Sequence, residues 1–430
     1  ESDTDTKLAL IQAIGKTKTV ESKDLILETI KNATDDRMAA SAIKVINNFE
    51  YSIAKPVILD ALKSSSITTA SAAINYLNDY SREADANDYR NIAREDLPWQ
   101  VKVPLLGIAN KNYSYAYAIT KGNVNGELKS IFNRSLNLTE KAACIRALAE
   151  DPKNIIFLLE TARNSQLAPI NSAVMESSLN ALKNKYFSPA FGGGGDDIKK
   201  QVISFVYDQL VKGDEAALEI IESAAKDENQ KKLIDASKIE SIKSSLSSNV
   251  YAQHMLMRTL NALKGTNDPV PLMSNYKKLT SNDFALDGIP HIVEFVTDKG
   301  NIKIKLFPET APATVLNFVQ LAKNEFFNNK IFHRVVPNFV IQGGCPRGDG
   351  YGSMDYSIRS ETPQIYYNKP GMVGMASSGP HTESCQFFIT NSPTPHLDGK
   401  YTIFAEVISG QDVVNKIQIG DKIQRINLSE

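Results

Sequence analysis

Residues 331–342 read IFHRVVPNFVIQ, and a pair of glycines follows them directly. Two apolar runs flank a single arginine, Arg334, and the second run ends in a glutamine, Gln342. The Pro-Asn pair between the runs is typical of a tight turn. The stretch therefore predicts two short strands joined by a turn. Taken by itself, it would be an ordinary buried hairpin with one stray charge.

Two later segments contain the same mixture of apolar strands and polar connections. Residues 374–390 read GMASSGPHTESCQFFIT, and residues 395–404 read PHLDGKYTIF. In this order, the three blocks resemble the sequence of a cyclophilin-type peptidyl-prolyl cis-trans isomerase. The resemblance covers residues 290–430. It implies a closed antiparallel β-barrel with two helices, and a reaction that needs no cofactor and no metal.

The pattern of residues 290–430 fits such a fold. Apolar residues alternate over residues 291–297 and 302–306 on either side of a turn, which predicts a hairpin. A helix follows, because Thr310 can cap it and Pro312 would sit in its first turn, where a missing N–H costs nothing. Residues 411–417 predict a second, short helix.

Residues 1–270 predict helices. Apolar residues recur there at three- and four-residue spacing, in segments of about 10–16 residues separated by polar breaks. A stretch rich in Pro, Asn, Asp and Ser then predicts a linker at residues 271–289. A weak five-residue pattern, which begins with a small residue and has Ile or Leu at its second and fifth positions, recurs at residues 42–46, 73–77, 144–148, 178–182 and 259–263. It resembles degenerate HEAT-like repeats, in which stacked helix pairs share a seam. An irregular helical bundle is the alternative.

Composition limits the partners and the chemistry. The 430 residues include 48 Lys and Arg against 49 Asp and Glu, without a basic block, so the electrostatic footprint of nucleic-acid binding is missing. No run of about 18 or more apolar residues occurs, so no membrane span is predicted. The three cysteines and the histidines show no metal-ligand spacing. A disulfide between Cys345 and Cys385 stays open.

Isomerisation of an X–Pro bond needs neither a nucleophile nor proton transfer. Its barrier of about 18–20 kcal/mol comes from amide resonance, and twisting the amide localises a lone pair on the prolyl nitrogen. A site that grips the ring and places a cationic donor near that nitrogen favours the twisted amide over both planar forms. By the resemblance, Arg334 is this donor, Phe339 lies beneath the proline ring, and Gln342 orients the arginine and contacts the peptide. These three are the predicted catalytic residues.

The resemblance also implies a substrate-binding set, some members of which depart from the family pattern. Val340 is smaller than the methionine common there, and Ser377 stands in place of asparagine. His396 stands in place of tryptophan and Tyr401 in place of histidine, so activity is expected, whereas the lost indole argues against tight cyclosporin binding. The predicted set is His333, Val340, Met375, Ala376, Ser377, Gln386, Phe388, His396, Leu397 and Tyr401. For its apolar members, plain core packing is the alternative.

A run of glycines interrupts the helical region. Four glycines at residues 192–195 precede two aspartates, and the run lacks the lysine of a phosphate loop. It predicts a flexible connection between helices, either natural or engineered.

The combined prediction is an active prolyl isomerase whose helical repeats hold polypeptide clients or dock a protein partner. The alternative is a non-catalytic scaffold or holdase whose barrel only binds proline-containing peptides. The chain starts without methionine and without an apolar targeting segment, and it is similar to bacterial envelope isomerases that join helical repeats to such a domain. Export to the bacterial envelope or periplasm is therefore expected, with the cytoplasm as the alternative.

Overall fold

The computed structural model describes residues 4–243, 250–269, 289–362 and 364–429. The chain divides into two compact units, Glu1–Asn154 and Ile155–Glu430. The linker predicted at residues 271–289 lies outside the described residues except for Ile289. The predicted domain limits at residues 270 and 290 therefore stay predictions.

Within residues 4–154, the first unit is built from α-helices, as the apolar spacing predicted. Side-chain oxygens of Thr19, Asp35, Ser66 and Asn137 cap four of these helices by accepting hydrogen bonds from first-turn backbone N–H groups. The helices are α1 (Thr4–Thr17), α2 (Val20–Asn32), α3 (Asp36–Val45), α4 (Tyr51–Ala61), α5 (Ile67–Tyr80), α6 (Ala86–Ala93), α7 (Trp99–Asn112), α8 (Ala118–Arg134) and α9 (Leu138–Ala149).

Alternate helices of this unit pack side by side. α3 contacts both α1 and α5, and α7 contacts both α5 and α9. Small residues permit a close approach, because a Cβ on Gly107 of α7 would lie only 3.0 Å from the Ala147 Cα of α9. The leading residue of the repeated pattern is fully buried at Ala42, Ala73 and Cys144. The all-helical prediction is confirmed. The HEAT-like assignment stays a prediction, which this stacking supports.

Seven further helices precede the barrel in the described part of the second unit. The glycine run forms one 3-10 turn at Gly192–Gly194, and Gly195 begins the next helix, so the predicted flexible loop is helical instead. The helices are α10 (Ile155–Arg163), α11 (Ala168–Ala181), α12 (Phe187–Ala190), α13 (Gly195–Val211), α14 (Glu215–Lys226), α15 (Ala236–Ile242) and α16 (Val250–Lys264).

The C-terminal part is an antiparallel sheet of nine described strands with two helices, α17 (Pro312–Lys323) and α18 (Gln411–Lys416). The predicted hairpin is confirmed: β1 pairs with β2, whose Ile302 and Ile304 are buried while Lys303 and Lys305 face solvent. The sheet order is β3-β9-β1-β2-β8-β6-β7-β5-β4. The strands are β1 (Ile292–Thr297), β2 (Gly300–Leu306), β3 (Lys330–Ile331), β4 (Arg334–Val336), β5 (Val340–Gly343), β6 (Met372–Met375), β7 (Phe387–Thr390), β8 (Ile403–Ser409) and β9 (Lys422–Ser429).

The two edge strands, β3 and β4, are joined directly by Phe332 and His333. The Phe332 N–H donates to the Asp421 carbonyl beside β9 at 2.8 Å. The His333 N–H donates to the Gln342 carbonyl of β5 at 3.1 Å. The chain itself therefore spans the two edges, and the predicted barrel closes through this segment.

The prediction that Thr310 caps α17 was wrong. The cap position is Ala311, and the Thr310 hydroxyl donates instead to the Phe307 carbonyl at 3.3 Å. The Glu361 carboxylate takes over the role by accepting from the backbone N–H groups of Ala313 at 3.1 Å and Thr314 at 2.8 Å. An acid at this end also complements the helix dipole.

Three expectations about chemistry can be compared with the structure. Cys345 and Cys385 are both buried free thiols, so the disulfide left open by the sequence is not formed. Within the described ranges, no helix is both long and apolar enough to cross a bilayer. The same residues contain no group of three or more His, Cys, Asp or Glu side chains placed to hold a metal ion.

Candidate functional site

The hairpin of β4 and β5 brings Arg334 and Gln342 face to face. The two residues are paired across the ladder, and Asn338 forms the turn with a φ of 57°. Asparagine is among the residues that tolerate this left-handed conformation. Side chains of paired residues lie on the same face of the sheet, and the Arg334 Nη1 donates to the Gln342 Oε1 at 3.4 Å. The turn predicted from the opening stretch is confirmed.

A small apolar cluster, here called the pocket cluster, lies on the outer face of the barrel. Its buried members are Val340, Tyr367, Met372, Phe388, Leu397 and Ile403, and Phe339, Ala376 and Tyr401 pack against it half-buried. Six residues of the predicted site therefore meet here. Phe388 is its centre, stacked on the Tyr367 ring at 5.7 Å and edge-on to the Tyr401 ring at 5.8 Å.

The rim of the pocket cluster carries the cation. The Arg334 guanidinium carbon lies 5.7 Å from the centroid of the Phe339 ring. The exposed His396 ring stacks on the same phenylalanine at 5.4 Å, with 24° between the planes. Partial desolvation lowers the pKa of Arg334 from its ordinary value, and an arginine stays cationic at neutral pH. An apolar wall thus stands beside a fixed donor.

The strand period explains how the pocket cluster is separated from the main core, the larger buried apolar cluster of the barrel that includes Phe295, Phe318 and Phe404. On β7, Phe387 points into the main core, and the next residue, Phe388, points into the pocket cluster. On β6, Gly374 lies beneath both aromatic rings. A Cβ there would lie 2.1 Å from the Tyr367 hydroxyl and 2.5 Å from the Phe388 Cζ, so only glycine fits.

A chain of hydrogen bonds leads away from Arg334. The Gln342 Nε2 donates to the Gln386 Oε1 at 3.0 Å. The Gln386 Nε2 in turn donates to the carbonyls of Gly350 at 2.8 Å and Gly352 at 2.7 Å. Because each amide has both partners in place, the orientation of Gln342 toward the arginine is fixed by the loop at residues 346–353.

That loop is held by residues of the preceding helices, which the sequence did not reveal. Ser353 donates to the Glu215 carboxylate of α14 through its N–H at 2.8 Å and through its hydroxyl at 2.9 Å. Arg347 donates to Asp214 at 2.8 Å. Within the loop, the Cys345 sulfur accepts from the Gly350 N–H at 3.3 Å.

Three predicted binding residues occupy other surroundings. The Met375 side chain lies in the main core, so only its backbone borders the site. The His333 ring packs against Gly350 of the loop at residues 346–353, where an added Cβ would lie 3.2 Å from the His333 Cδ2. Burial lowers the His333 pKa to about 4, so the ring is neutral at physiological pH. Ser377 lines a polar cavity beside Gln386.

Sequence reasoning missed several residues that shape the site. Tyr367 is completely buried under Phe388, and its predecessor, Tyr366, is exposed, so the adjacent pair gave no signal for which ring packs inward. Glu383 is also buried, and burial raises its pKa to about 7 although the hydroxyls of Ser360 and Thr402 donate to it.

Comparisons with known proteins agree with this geometry. The family model described as cyclophilin type peptidyl-prolyl cis-trans isomerase/CLD matches residues 292–428. Peptidyl-prolyl cis-trans isomerase B of Bacillus subtilis is 41% identical over 136 residues, which are 31% of this chain and 95% of that protein. The Schizosaccharomyces pombe isomerase ppi1 is 46% identical over 132 residues, or 29% of this chain and 83% of that protein.

Two further similarities differ in their coverage. Peptidyl-prolyl cis-trans isomerase 9 of Schizosaccharomyces pombe is 43% identical over 159 residues, and this chain spans 26% of its length. A crystal structure of a Cryptosporidium parvum cyclophilin type peptidyl-prolyl cis-trans isomerase is 31% identical, with 33% of this chain and 98% of that chain covered and a TM-score of 0.32. The near-complete match to the Bacillus subtilis isomerase decides the assignment: through its C-terminal barrel, the chain belongs to the cyclophilin-type peptidyl-prolyl cis-trans isomerase family.

Proposed function

We propose that this chain accelerates the cis–trans isomerisation of X–Pro bonds in polypeptide clients. One observation carries the proposal: the Arg334 guanidinium stands 5.7 Å from the Phe339 ring, at the rim of the pocket cluster. A proline ring seated on that apolar wall would present its amide nitrogen to a cation that is already oriented by Gln342.

The arrangement favours the twisted amide over the planar ones. Planar amides delocalise the nitrogen lone pair, so the guanidinium gains little from either ground state. The twisted state localises that pair, and a donor fixed beforehand stabilises it without reorganisation. Each 1.4 kcal/mol or so of differential stabilisation corresponds to about a tenfold rate increase.

The test is the substitution Arg334→Ala. Because the guanidinium stabilises the twisted amide more than the planar forms, kcat/KM for a proline peptide should fall roughly tenfold or more, while folding is unchanged. NMR exchange spectroscopy measures the isomerisation rate directly. The matched control is Arg425→Ala, which removes an exposed arginine of β9 and should leave the rate unchanged. Unchanged activity of Arg334→Ala would contradict the assigned role.

We further propose that the helices provide a docking surface for clients or a protein partner. The support comes from the first unit, where Trp99, Ile131 and Arg134 line a groove. Leu136, two residues after Arg134, is 98% exposed. Trp99 is half-buried and Arg134 is exposed, and tryptophan and arginine are common anchors of protein interfaces. The HEAT-like repeat, a chaperone role and a place in the bacterial envelope belong to this proposal.

The alternative function is a scaffold or holdase that binds proline-containing peptides without turnover. The wild type and the Arg334→Ala variant, measured side by side, separate the two functions. An isomerase would lose its rate enhancement and keep its protection of an aggregating client. A pure holdase would show no enhancement even as wild type.

A further inference from the structure

A polar cavity of about 230 Å³ adjoins the pocket cluster, and part of its wall belongs to the preceding helices. Gln342, Ala376, Ser377 and Gln386 line it, and all four belong to the predicted site. The opposite wall contains Glu219 of α14 and Tyr251 of α16. The remaining lining residues are Gly350, Gly352, Ser353, Ser378, Thr382 and Ser384.

The cavity and the pocket cluster can be occupied by one peptide. Gln342 and Gln386 are hydrogen-bonded to each other at 3.0 Å and stand between the two. Ala376 belongs to both, because it packs against the pocket cluster and lines the cavity. When the proline of a client peptide occupies the pocket cluster beside Arg334, the residues next to that proline therefore lie at the mouth of the cavity.

Helices hold both loops that frame the cavity. On one side, Ser353 is bound twice by Glu215 of α14. On the other side, Arg258 of α16 donates to the Ser378 carbonyl and pairs with Glu222 at 3.0 Å. The helical wall is thus part of the built site.

Among its described lining residues, the cavity contains an acid but no base. Among the described residues that line it, Glu219 is the one acid, and none is a lysine, arginine or histidine. The Tyr251 hydroxyl donates to the Glu219 carboxyl. Burial, together with the like charges of Glu215, Glu222 and Asp349, raises the Glu219 pKa to about 8 against the opposing charge of Arg258. At neutral pH such a carboxyl is mostly protonated, and a cation that enters the cavity favours its ionised form.

Resting on the proposed isomerase activity, we propose that Glu219 and Tyr251 complete the substrate cleft and that their cavity binds the cationic side chain of a lysine or arginine flanking the client proline. The serine, threonine and tyrosine hydroxyls on the wall can accept hydrogen bonds from the cationic group of that side chain, and the Glu219 carboxylate can pair with its charge. The helices then contribute to substrate selection within the active-site cleft.

The experiment compares peptides that differ only in one charge. Pentapeptides with a central proline carry lysine at each of the four other positions in turn, and norleucine replaces lysine as the uncharged isostere. At one position, wild-type kcat/KM for lysine should exceed that for norleucine by roughly five- to tenfold, the size expected of a partly buried charge pair. NMR exchange spectroscopy supplies the rates.

Two variants of the full chain locate the effect. Glu219→Gln should reduce the lysine preference to about one. Glu228→Gln, an exposed acid beyond the end of α14, should keep the preference. Equal rates for lysine and norleucine at every position would overturn this inference alone. Absence of isomerisation for all peptides would overturn the proposed function together with it.

Discussion

The main core and the pocket cluster lie on opposite faces of the same three strands. The inward residues Ile341, Val373 and Phe387 alternate with the outward residues Val340, Met372 and Phe388. Both sets are apolar, and each is largely buried. What differs is the surroundings: the main core consists of apolar residues packed on one another, whereas the pocket cluster ends at a cation and a chain of amides. The function of an apolar residue here depends on its neighbours more than on its type.

Aromatic packing makes the difference concrete. The Phe387 ring lies 5.4 Å from that of Phe295, 5.7 Å from Phe327 and 6.0 Å from Phe318. Edge-to-face and tilted pairs of this kind add stability beyond their buried area. On the other face, Phe339 contacts an imidazole and a guanidinium and stays half-exposed.

The largest effect is expected from Phe387→Ala. Removing a fully buried ring that touches three others leaves a cavity in the main core, and the free energy of unfolding of the barrel should fall by about 3–5 kcal/mol. Hydrogen-exchange mass spectrometry of β5, β6 and β7 measures it in the barrel itself, since the single tryptophan, Trp99, belongs to the first unit. A cost below about 1 kcal/mol would mean that the two faces are equally plastic.

The converse effect is expected from Phe339→Ala. The ring is half-exposed, so the free energy of unfolding should change by less than about 1.5 kcal/mol. Its loss removes the surface beneath the proline, and kcat/KM should fall about tenfold or more. The control is Phe326→Ala, a partly buried phenylalanine packed on the main core, which should leave kcat/KM intact. A Phe339 variant that loses stability without losing activity would reverse the comparison.

Much of the pocket cluster could be anticipated from sequence, because most of its residues, although not Tyr367 or Met372, come from three short motifs. Those motifs supply Arg334, Gln342 and Phe388, which lie beside one another in the structure, and the roles that the resemblance implies for them stay predictions. The same reasoning located Met375 in the site, but strand alternation turns its side chain into the main core. The motif does not determine which of two adjacent strand residues faces the main core, because neighbouring side chains point to opposite faces of the sheet.

The cavity wall could not be anticipated. Glu215 and Ser353 are 138 positions apart, and residues 270–288, which lie between them, are outside the described part of the chain. Amphipathic periodicity shows that α14 has an apolar face, but it does not show what its acidic residues meet. Glu219 and Tyr251 likewise stand in ordinary helical surroundings in the sequence. Their meeting with Gln386 depends on packing between distant segments.

The smallest effect should distinguish the main core, which contains Cys385, from the loop beside the site, which covers Cys345. Cys345 and Cys385 are both buried, and burial raises both thiol pKa values, that of Cys385 to about 12. Cys385 belongs to the main core, so an alkylating reagent reaches it only when the barrel unfolds. Cys345 is covered by the loop at residues 346–353, and we expect this loop to open locally at a lower free-energy cost than unfolding of the barrel. With iodoacetamide at pH 8, peptide mapping should therefore show Cys345 modified before Cys385.

The Glu215→Gln variant then tests what holds the loop closed. Weakening the two charge-assisted hydrogen bonds to Ser353 should cost about 1 kcal/mol or more and raise the labelling rate of Cys345 roughly fivefold. The rate at Cys385 should not change, because the main core is untouched. Equal acceleration at both thiols would show that α14 stabilises the barrel as a whole. Acceleration at Cys345 alone places the influence of the helices on the loop, and through Gln386 and Gln342 on the orientation of Arg334.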